Sequence, residues 1–466
     1  MFKSHLMFVS TIAFTLIASS AQAADTWTGF RGNGSNISTA ANLPVKWSPE
    51  KGVHWIETVP GYGQSSPVVW KNQVFVTAIE GPQQGTCLLH AYDISNGQKL
   101  WTKEFKASQT TKTSSMVSRA APTPVVDENG LYVFFESGDV AAYSHSGDLL
   151  WHRSLVKDYG KFVSNHGIGS SLAQTANDVI ILIAHDGPSY LVALNKKTGK
   201  PTWKTDRESG VAWSSPVIAD RNGIPEVIVS ARGTVKGYQG LTGELLWTHT
   251  GLSGNTIPSA SVLGEYILIG AALDRRKPDA EKASASNCCL KLITKDGKPG
   301  YELLWKAKKA VSSFCTPLAY QGCAYFVNKV GVVYCLDLET GKQNFAQRLS
   351  GPCWSSPLAA GDHIYFFTKK GPTDVIKAGP QFELLTTNTL FAEPAEKQDT
   401  KQETTSNAKS TKPSASEQKE KPASGNRPSG RSSGGYPALG PTIYGTAVVD
   451  QTVLIRTGTK LYCIGK

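Results

Sequence analysis

Short runs of β-branched and aromatic residues recur along the whole chain, separated by polar turns. Residues 74–77, 131–135 and 324–327 are examples. Within each run apolar residues either alternate with polar ones or fill every position, which is typical of half-buried and fully buried strands. Outside the N-terminal apolar run, no helical periodicity of useful length occurs. The pattern predicts an all-β protein.

A turn motif follows these runs and repeats. It is a glycine preceded by Asn, Ser, Thr or Asp, with an aromatic residue four positions later. The glycine and aromatic pairs are Gly97 and Trp101, Gly147 and Trp151, Gly199 and Trp203, Gly243 and Trp247, and Gly341 and Phe345, with a longer copy at Gly297 and Trp305. Such a glycine favours a hairpin turn with positive φ. The aromatic residue would then lie at the same height on each following strand.

A second motif, a hydroxyl-bearing or small residue before Pro or an apolar residue, opens each unit. The openings are at 65–67, 122–124, 170–172, 214–216, 260–262, 315–317, 355–357 and 445–447. Four short strands repeated about every 45 residues are typical of propeller blades. The openings therefore predict an eight-bladed β-propeller of four-stranded antiparallel blades.

The two ends of the repeat complement each other. Residues 53–59, which contain Trp55, have the pattern of a fourth strand without the three strands that should precede it. Residues 446–464 supply three strands without a fourth. We therefore expect the N-terminal strand to close the last blade and to fasten the ring.

The remaining segments have distinct compositions. Residues 1–23 carry Lys3, an apolar run and a small-residue cleavage site, which predicts a secretory signal peptide. An N-terminal extension, 24–52, is expected to lie against the outside of the propeller domain, 53–466. Within that domain, residues 391–437 are rich in Lys, Glu, Ser, Thr and Pro and predict a disordered insertion between blades 7 and 8. No later stretch approaches the length of a membrane span, so we expect a periplasmic or secreted protein.

The distribution of charge argues against a nucleic-acid-binding protein, and the spacing of the cysteines argues against a CxxC metal site. The net charge is +11, but Lys and Arg are scattered without a basic helix, which argues against nucleic acid as a partner. A protein or a glycan is the expected partner, and a monomer the expected state. The eight cysteines contain no paired CxxC metal motif. Buried thiols are the preferred interpretation, with bridges Cys323–Cys335 and Cys315–Cys353 as open alternatives.

Six of the eleven tryptophans fall at the recurrent position. We expect them to pack each blade against its neighbour by burying a large ring, rather than to stack on a ligand. They are Trp55, Trp101, Trp151, Trp203, Trp247 and Trp305.

The residues just before each inner strand are the candidate binding site, because these connections converge at one mouth of the central channel. The set is rich in aromatic and polar side chains: Tyr62, Gln64, Arg119, Asn165, His166, Trp213, Asn255, Phe314, Trp354 and Tyr444. A sugar, a quinone-like ring or a peptide strand would stack there, with Arg119 contacting an anionic group. Ordinary loop packing is the alternative.

The unit of an apolar strand, Ala/Leu-Tyr-Asp and Thr-Gly-x-x-x-Trp resembles the quinoprotein-like propeller repeat over residues 53–390 and 440–466. That repeat is named for alcohol dehydrogenases that hold pyrroloquinoline quinone (PQQ) on the channel axis. It also builds the exported assembly factor BamB, which binds no quinone. The resemblance therefore implies the fold and leaves two kinds of function open.

A quinone-dependent enzyme would need a calcium or lanthanide site and an aspartate base, and the channel loops show no such set. The family's disulfide between neighbouring cysteines has a counterpart in Cys288-Cys289. By repeat register this pair aligns with Leu88-Leu89, inside a strand whose successive side chains point to opposite faces. We predict no catalytic residue, metal or cofactor, and a non-catalytic binding scaffold. A PQQ-dependent dehydrogenase and a glycan-binding module are the alternatives.

Overall fold

The computed structural model describes residues 26–40, 42–110, 116–273, 278–391 and 441–465. The predicted signal peptide, 1–23, and residues 392–437 of the predicted insertion lie outside this part of the chain and stay predictions. Residue 391 is described: Phe391 packs on Tyr462 of the last blade, with 5.8 Å between ring centroids. No helix in the described residues is long and apolar enough to cross a membrane.

Eight antiparallel four-stranded sheets form the fold, which confirms the predicted eight-bladed propeller. The inner strands of blades 1 to 8 are Val68–Trp70, Val125–Asp127, Ala173–Gln174, Val217–Arg221, Ser261–Leu263, Leu318–Tyr320, Leu358–Ala360 and Gly445–Val449. The second strands are Gln73–Glu80, Gly130–Phe134, Asp178–Ile183, Ile224–Ala231, Tyr266–Ile269, Cys323–Val327, His363–Phe367 and Thr452–Arg456. The third strands are Thr86–Asp93, Asp139–Tyr143, Ser189–Asn195, Thr234–Gln239, Cys288–Lys295, Val332–Asp337, Thr373–Lys377 and Lys460–Ile464. The fourth, outer strands are Lys99–Lys106, Leu149–Ser154, Pro201–Arg207, Leu245–His249, Lys298–Lys306, Gln343–Arg348, Leu384–Asn388 and Val53–Thr58.

Helical structure is confined to short connections. It comprises Arg31–Gly34, Leu155–Tyr159 and Ala280–Ala285, with a 3₁₀ turn at Pro82–Gln84. Apolar side chains on both faces of the middle strands are buried, and the core divides into clusters between neighbouring blades. Because both faces of the middle strands are buried, their sequences are continuous apolar runs.

The ring closes as predicted. Val53–Thr58 pairs antiparallel with Lys460–Ile464, and Trp55 lies opposite Cys463. The first strand of the repeat to appear in the sequence is therefore the last strand of blade 8. The closing strand therefore covers the edge of the third strand, and blade 8 has four strands like the other blades.

Five of the six recurrent tryptophans join their blade to the next. Each indole N–H donates to a backbone carbonyl beside the next blade's turn, at 2.7 to 3.1 Å; the pairs are Trp55 and Ile94, Trp101 and His145, Trp151 and Lys196, Trp203 and Gly240, and Trp305 and Leu338. The turn glycine lies against the ring: a Cβ on Gly243, whose φ is +73°, would come within 2.4 Å of Trp203. The motif thus pairs a glycine with the preceding blade's tryptophan. Trp247 is the exception and donates to Glu226 of its own blade.

The first part of the N-terminal segment, residues 26–38, does not lie against the outside of the domain, as the sequence suggested, but in the channel. Thr26–Trp27 pairs with the inner strand of blade 1, and Ile37–Ser38 pairs in parallel with that of blade 7. We call residues 26–38 the plug. Its glycines allow this close packing, since a Cβ on Gly34 would come within 2.5 Å of Val217 in blade 4. The plug covers inner β-edges that would otherwise be unpaired.

After the plug, the chain runs outward to blade 7. The backbone N–H of Trp47 donates to Asn388 Oδ1 at 2.9 Å, and Asn388 Nδ2 donates to the carbonyl of Val45 at 2.8 Å. The Trp47 ring stacks on Tyr365. The segment therefore passes from the channel to the outer strand that closes blade 8 and is anchored on the way.

All eight cysteines are buried, free thiols. Cys289 lies opposite Trp305, the place that Ala91 holds opposite Trp101. The predicted alignment of Cys288-Cys289 with Leu88-Leu89 was therefore wrong by two residues, because the hairpin of blade 5 is longer. Cys288 and Cys289 belong to different core clusters, as expected for neighbours on opposite faces of a strand.

His90, buried beside the closing junction, makes stability dependent on pH. Its Nε2 donates to the carbonyl of Pro60 at 3.1 Å, and its Nδ1 accepts from the Thr102 hydroxyl at 2.9 Å. Burial, aided by the charge of Arg456, lowers the pKa of His90 to about 4. The unfolded chain takes up this proton near pH 6.5. The contribution of neutral His90 to the free energy of unfolding is therefore complete above pH 6.5. As the pH falls to about 4, proton uptake by the unfolded chain lowers the free energy of unfolding by on the order of 3 kcal/mol.

Urea unfolding at pH 7 and pH 4.5 measures this effect. We expect His90→Gln, which keeps a donor for Pro60, to lose less stability between the two pH values than the native protein does. His54→Gln is the control, because His54 is exposed, and should follow the native protein. Equal losses in the native protein and in His90→Gln would contradict the prediction.

Candidate functional site

A cavity of about 1020 Å³ occupies the channel, and we call it the funnel. Residues of the mouth loops line one end, the hydroxyl residues that open the inner strands line the middle, and the plug lines the other end. The mouth residues are Gln64, Asn165, His166, Trp213, Phe314, Trp354 and Tyr444. The cavity has the size of a small-molecule pocket.

The repeated Ser/Thr of each opening motif forms a ring of hydroxyls around the funnel. The backbone N–H of one ring residue donates to the hydroxyl oxygen of the next at 2.8 to 3.2 Å; donor and acceptor residues are Ser66 and Thr123, Thr123 and Ser171, Ser171 and Ser215, Ser215 and Ser259, Ser259 and Thr316, and Thr316 and Ser356. The bonds tie blades 1 to 7 together. Since the hydroxyl oxygen of each of the six acceptor residues accepts an N–H in this ring, its own proton is left to donate.

Aromatic rings form an arc on one side of the mouth. Phe314 packs on Trp354 and Trp354 on Tyr444, with centroids 5.7 and 6.1 Å apart. The Tyr444 hydroxyl is 2.7 Å from that of Tyr62, and Lys369 Nζ lies 3.8 Å from the centroid of the Trp354 ring. These half-buried rings offer a rigid apolar surface with polar atoms at its border.

A second aromatic pair lies across the mouth, in blades 3 and 4. The rings of His166 and Trp213 are 6.0 Å apart. The Trp213 indole N–H donates to the carbonyl of Gly167 at 3.1 Å, which fixes the ring at the border of the funnel. His166 and Asn165 are exposed. The mouth thus presents aromatic surfaces on two opposite sides.

Three of the predicted mouth residues do not line the funnel. Tyr62 stands behind Tyr444. Arg119 is buried, where its Nη1 donates to the carbonyl of Gln109 at 2.9 Å and its Nε lies 3.8 Å from Glu136. Asn255 is buried and bonds to Ser230, Gly233 and Thr234. The expected contact of Arg119 with an anionic ligand is therefore not supported, because the guanidinium is used inside the loop.

The plug supplies the end of the funnel, which the sequence did not predict. Phe30, Arg31 and Asn36 line it. Asn36 Nδ2 donates to the carbonyls of Ser356 and Pro357 in blade 7, and Arg31 Nη2 donates to that of Ala260 in blade 5 at 2.7 Å. The one sequence feature that could have indicated this role is the Phe-Arg-Gly motif, which precedes the first blade and has no counterpart in the repeat.

Positive charge prevails among the described lining residues. Arg31, Arg232 and Lys329 are cationic, and Asp186 is the one carboxylate among them. Arg232, Lys329 and Asp186 are exposed at the mouth end, whereas Arg31 is 4% exposed. A cleft with low-dielectric walls and an excess of one charge concentrates ligands of the opposite charge.

The residues present do not fit a calcium–quinone site. In the part of the chain that the structure describes, no group of three or more His, Cys, Asp or Glu side chains is placed to hold a metal ion. Cys288 and Cys289 are buried thiols within blade 5 and do not line the funnel. The described walls therefore offer one carboxylate, Asp186, and no cysteine pair, whereas quinone chemistry would use several carboxylate and amide oxygens around a cation.

The family model for outer membrane protein assembly factor BamB matches residues 29–164, 161–276 and 297–405. No curated protein matches the chain. Among solved structures, BamB from Moraxella catarrhalis is 11% identical, with a TM-score of 0.54 over 89% of this chain and 97% of BamB. A europium-containing methanol dehydrogenase is 11% identical, with a TM-score of 0.56 over 95% of this chain and 98% of that enzyme.

The quinohemoprotein alcohol dehydrogenase from Comamonas testosteroni is 12% identical, with a TM-score of 0.59 over 96% of this chain and 82% of that enzyme. At such identities these likenesses show the fold alone. They do not distinguish a scaffold from a dehydrogenase. The family model, in contrast, matches more than half of the chain. The resemblance to the PQQ-like repeat is thus confirmed, and the chain belongs to the β-propeller family of the outer membrane protein assembly factor BamB.

Proposed function

We propose that the protein is an exported, non-catalytic binding scaffold that holds a partner at the mouth of its funnel. The observation that carries the proposal is the funnel itself: a deep concave site with aromatic surfaces on two sides of the mouth and the plug at the other end. Because the plug fills the channel beyond the funnel, a partner enters and leaves by the mouth.

A protein partner is preferred to a glycan. The family model is that of an assembly factor, and the two aromatic surfaces border a cavity of about 1020 Å³, into which a loop or an extended peptide would insert. Aromatic anchors at the centre of a concave patch are typical of binding hot spots. A glycan would use the same rings for stacking, and the experiment below separates the two.

Site-specific photo-cross-linking in the host tests the proposal. A photoreactive phenylalanine analogue replaces Trp213 or Trp354 at the mouth, and in control chains Leu149 or Leu384, which are 58% and 49% exposed on outer strands. We expect both mouth positions to give the same protein adduct and the control positions not to give it. Adding Trp354→Ala to the chain that carries the probe at 213 should reduce the yield about tenfold, as for loss of an anchor of about 1.4 kcal/mol.

Three outcomes would contradict the proposal in different ways. Adducts formed equally at Leu149 and Leu384 would place the partner on the outer strands. Carbohydrate adducts at the mouth would replace the protein partner by a glycan. Dye reduction with alcohols after addition of PQQ and calcium would show an enzyme.

A further inference from the structure

The most unusual side chain in the funnel is Arg31 of the plug. Arg31 is 4% exposed, and its guanidinium lies 5.5 Å from the centroid of the Phe30 ring. Among the described residues, the guanidinium makes one hydrogen bond, from Nη2 to the carbonyl of Ala260. Nε and Nη1 have no hydrogen-bond partner among the described residues. An arginine carries five N–H donors, so the donors on these two nitrogens have no acceptor, in a residue that lines the cavity.

The guanidinium also has no counterion in the part of the chain that is described. Arg119, a buried arginine of the mouth loops, lies near Glu136, whereas the burial of Arg31 is offset by no carboxylate among the described residues and lowers its pKa to about 9. A buried charge without a partner destabilises a fold. Its backbone has a φ of 58°, which is uncommon for a residue other than glycine. Retaining arginine at such a position is understandable if an external group completes it.

The surroundings favour an oxyanion. The hydroxyls of Ser259 and Thr316, whose oxygens accept backbone N–H groups, line the same cavity and keep their own protons for donation. Arg232 and Lys329 at the mouth attract the same charge. An arginine fork with flanking hydroxyls is the donor set that proteins use for carboxylate and phosphate groups.

We propose that the end of the funnel binds the oxyanion of a ligand, a carboxylate or a phosphate group, on the Arg31 guanidinium. This inference rests on the proposed function, because the same funnel receives the ligand. It adds that the part of the ligand that reaches the plug is negatively charged. A protein partner would present an acidic side chain or its C-terminal carboxylate, and a small ligand a phosphate or carboxylate.

Calorimetric titration of the mature chain, residues 24–466, tests the site. The probes are inorganic phosphate, glucuronate and, as the uncharged match to glucuronate, glucose, at constant ionic strength. We expect phosphate or glucuronate to bind and glucose not to bind. Arg31→Gln should raise the Kd by about 10- to 100-fold, the range for loss of a charge-assisted hydrogen bond. Arg348→Gln removes the same charge from an exposed position on the outer strand of blade 6 and should change the Kd by less than about threefold.

The titrations distinguish a phosphate from a carboxylate ligand, and some of their outcomes would contradict the proposal. Binding of phosphate alone indicates a phosphate ligand, and binding of glucuronate alone a carboxylate; either supports the site. No binding of both anions, or an equal Kd for Arg31→Gln, overturns it. If phosphate binds as expected while the cross-links at Trp213 and Trp354 fail, the anion site stands and the proposed scaffold function does not. The reverse result removes only the anion site.

Two further measurements keep the test decisive if Arg31→Gln folds poorly. In the native protein, phosphate should slow hydrogen exchange in the peptide that spans residues 29–38, and unchanged exchange contradicts the site. Arg31→Met removes the unpaired charge, so in chloride buffer it should be at least as stable as the native protein, with the order reversed at saturating phosphate. A purely structural arginine would instead make Arg31→Met less stable by the same amount in both buffers.

Discussion

A chain that begins at Val59 is expected to be recovered as unfolded or aggregated protein. Such a chain lacks the closing strand, Val53–Thr58, and therefore the backbone pairing with Lys460–Ile464. It also lacks Trp55, whose ring is buried and whose N–H bonds to Ile94 of blade 1. Loss of a buried tryptophan alone costs about 3–5 kcal/mol. Together with the lost strand pairing, this approaches the total stability of about 5–15 kcal/mol that folded proteins have.

The exposed edge adds to the thermodynamic loss. Without the closing strand, the third strand of blade 8 presents unpaired backbone groups beside apolar side chains such as Ile464. Unpaired edges of this kind template association between chains. The expected product is therefore insoluble material or soluble aggregates, which size-exclusion chromatography and far-UV circular dichroism measure.

A chain that begins at Gly52 is the matched control. It lacks the plug but keeps the closing strand, so we expect a soluble propeller of lower stability with an open channel. Trp27 and Arg31 are lost with the plug, whereas the pairing of Trp55 with Cys463 is retained. If the chain from Val59 folds as well as the chain from Gly52, closure by the N-terminal strand does not hold the ring together.

The eight blades and the closure of the ring could be predicted because both follow from the sequence repeat. The glycine recurs because, in five of the six turn motifs, it lies against the tryptophan ring of the preceding blade, as Gly243 does against Trp203. The unpaired half-units at the two ends have one solution in a closed ring. Both inferences depend on local, repeated geometry.

The position of the plug and the roles of single arginines could not be predicted in this way. Residues 26–38 occur once, so no register with other blades defined their place, and their short β-bridges to blades 1 and 7 join residues distant in sequence. In the sequence, Arg119 lies in a polar loop before an inner strand, and Arg31 lies in a polar segment before the first blade. Only the fold decides that Arg119 meets Gln109 and Glu136, whereas Arg31 enters the funnel.

The junction between blades 4 and 5 shows a further departure from the repeat. In the longer hairpin of blade 5, a Cβ on Gly297 would meet no atom within 4 Å, whereas one on Gly341 would lie against Trp305. Trp247 donates to Glu226 Oε1 instead. Glu226 Oε2 accepts from Arg221 Nε at 2.6 Å, and the two other nitrogens of Arg221 donate to carbonyls of the blade 5 hairpin at 2.7 and 3.1 Å. The carboxylate therefore replaces the missing contact between tryptophan and glycine.

Glu226→Ala is expected to lower the free energy of unfolding by about 3–5 kcal/mol. Glu226 is 1% exposed, so its removal leaves Arg221 as a largely buried charge without its carboxylate and the Trp247 N–H without an acceptor. Urea unfolding followed by tryptophan fluorescence measures the change. Glu383→Ala, which breaks the exposed pair with Lys377, is the control and should cost at most about 1 kcal/mol.

A second variant separates the network from a general effect of truncation. Arg221→Met combined with Glu226→Met removes both charges and keeps apolar volume, so the double variant should recover much of the stability lost in Glu226→Ala. The hairpin carbonyls of Ile293 and Gly300 would still lose their donors, and recovery should therefore be incomplete. If Glu226→Ala costs no more than Glu383→Ala, the carboxylate does not join blades 4 and 5, and the contact of Trp247 with Tyr301, 4.8 Å between ring centroids, must hold the junction instead.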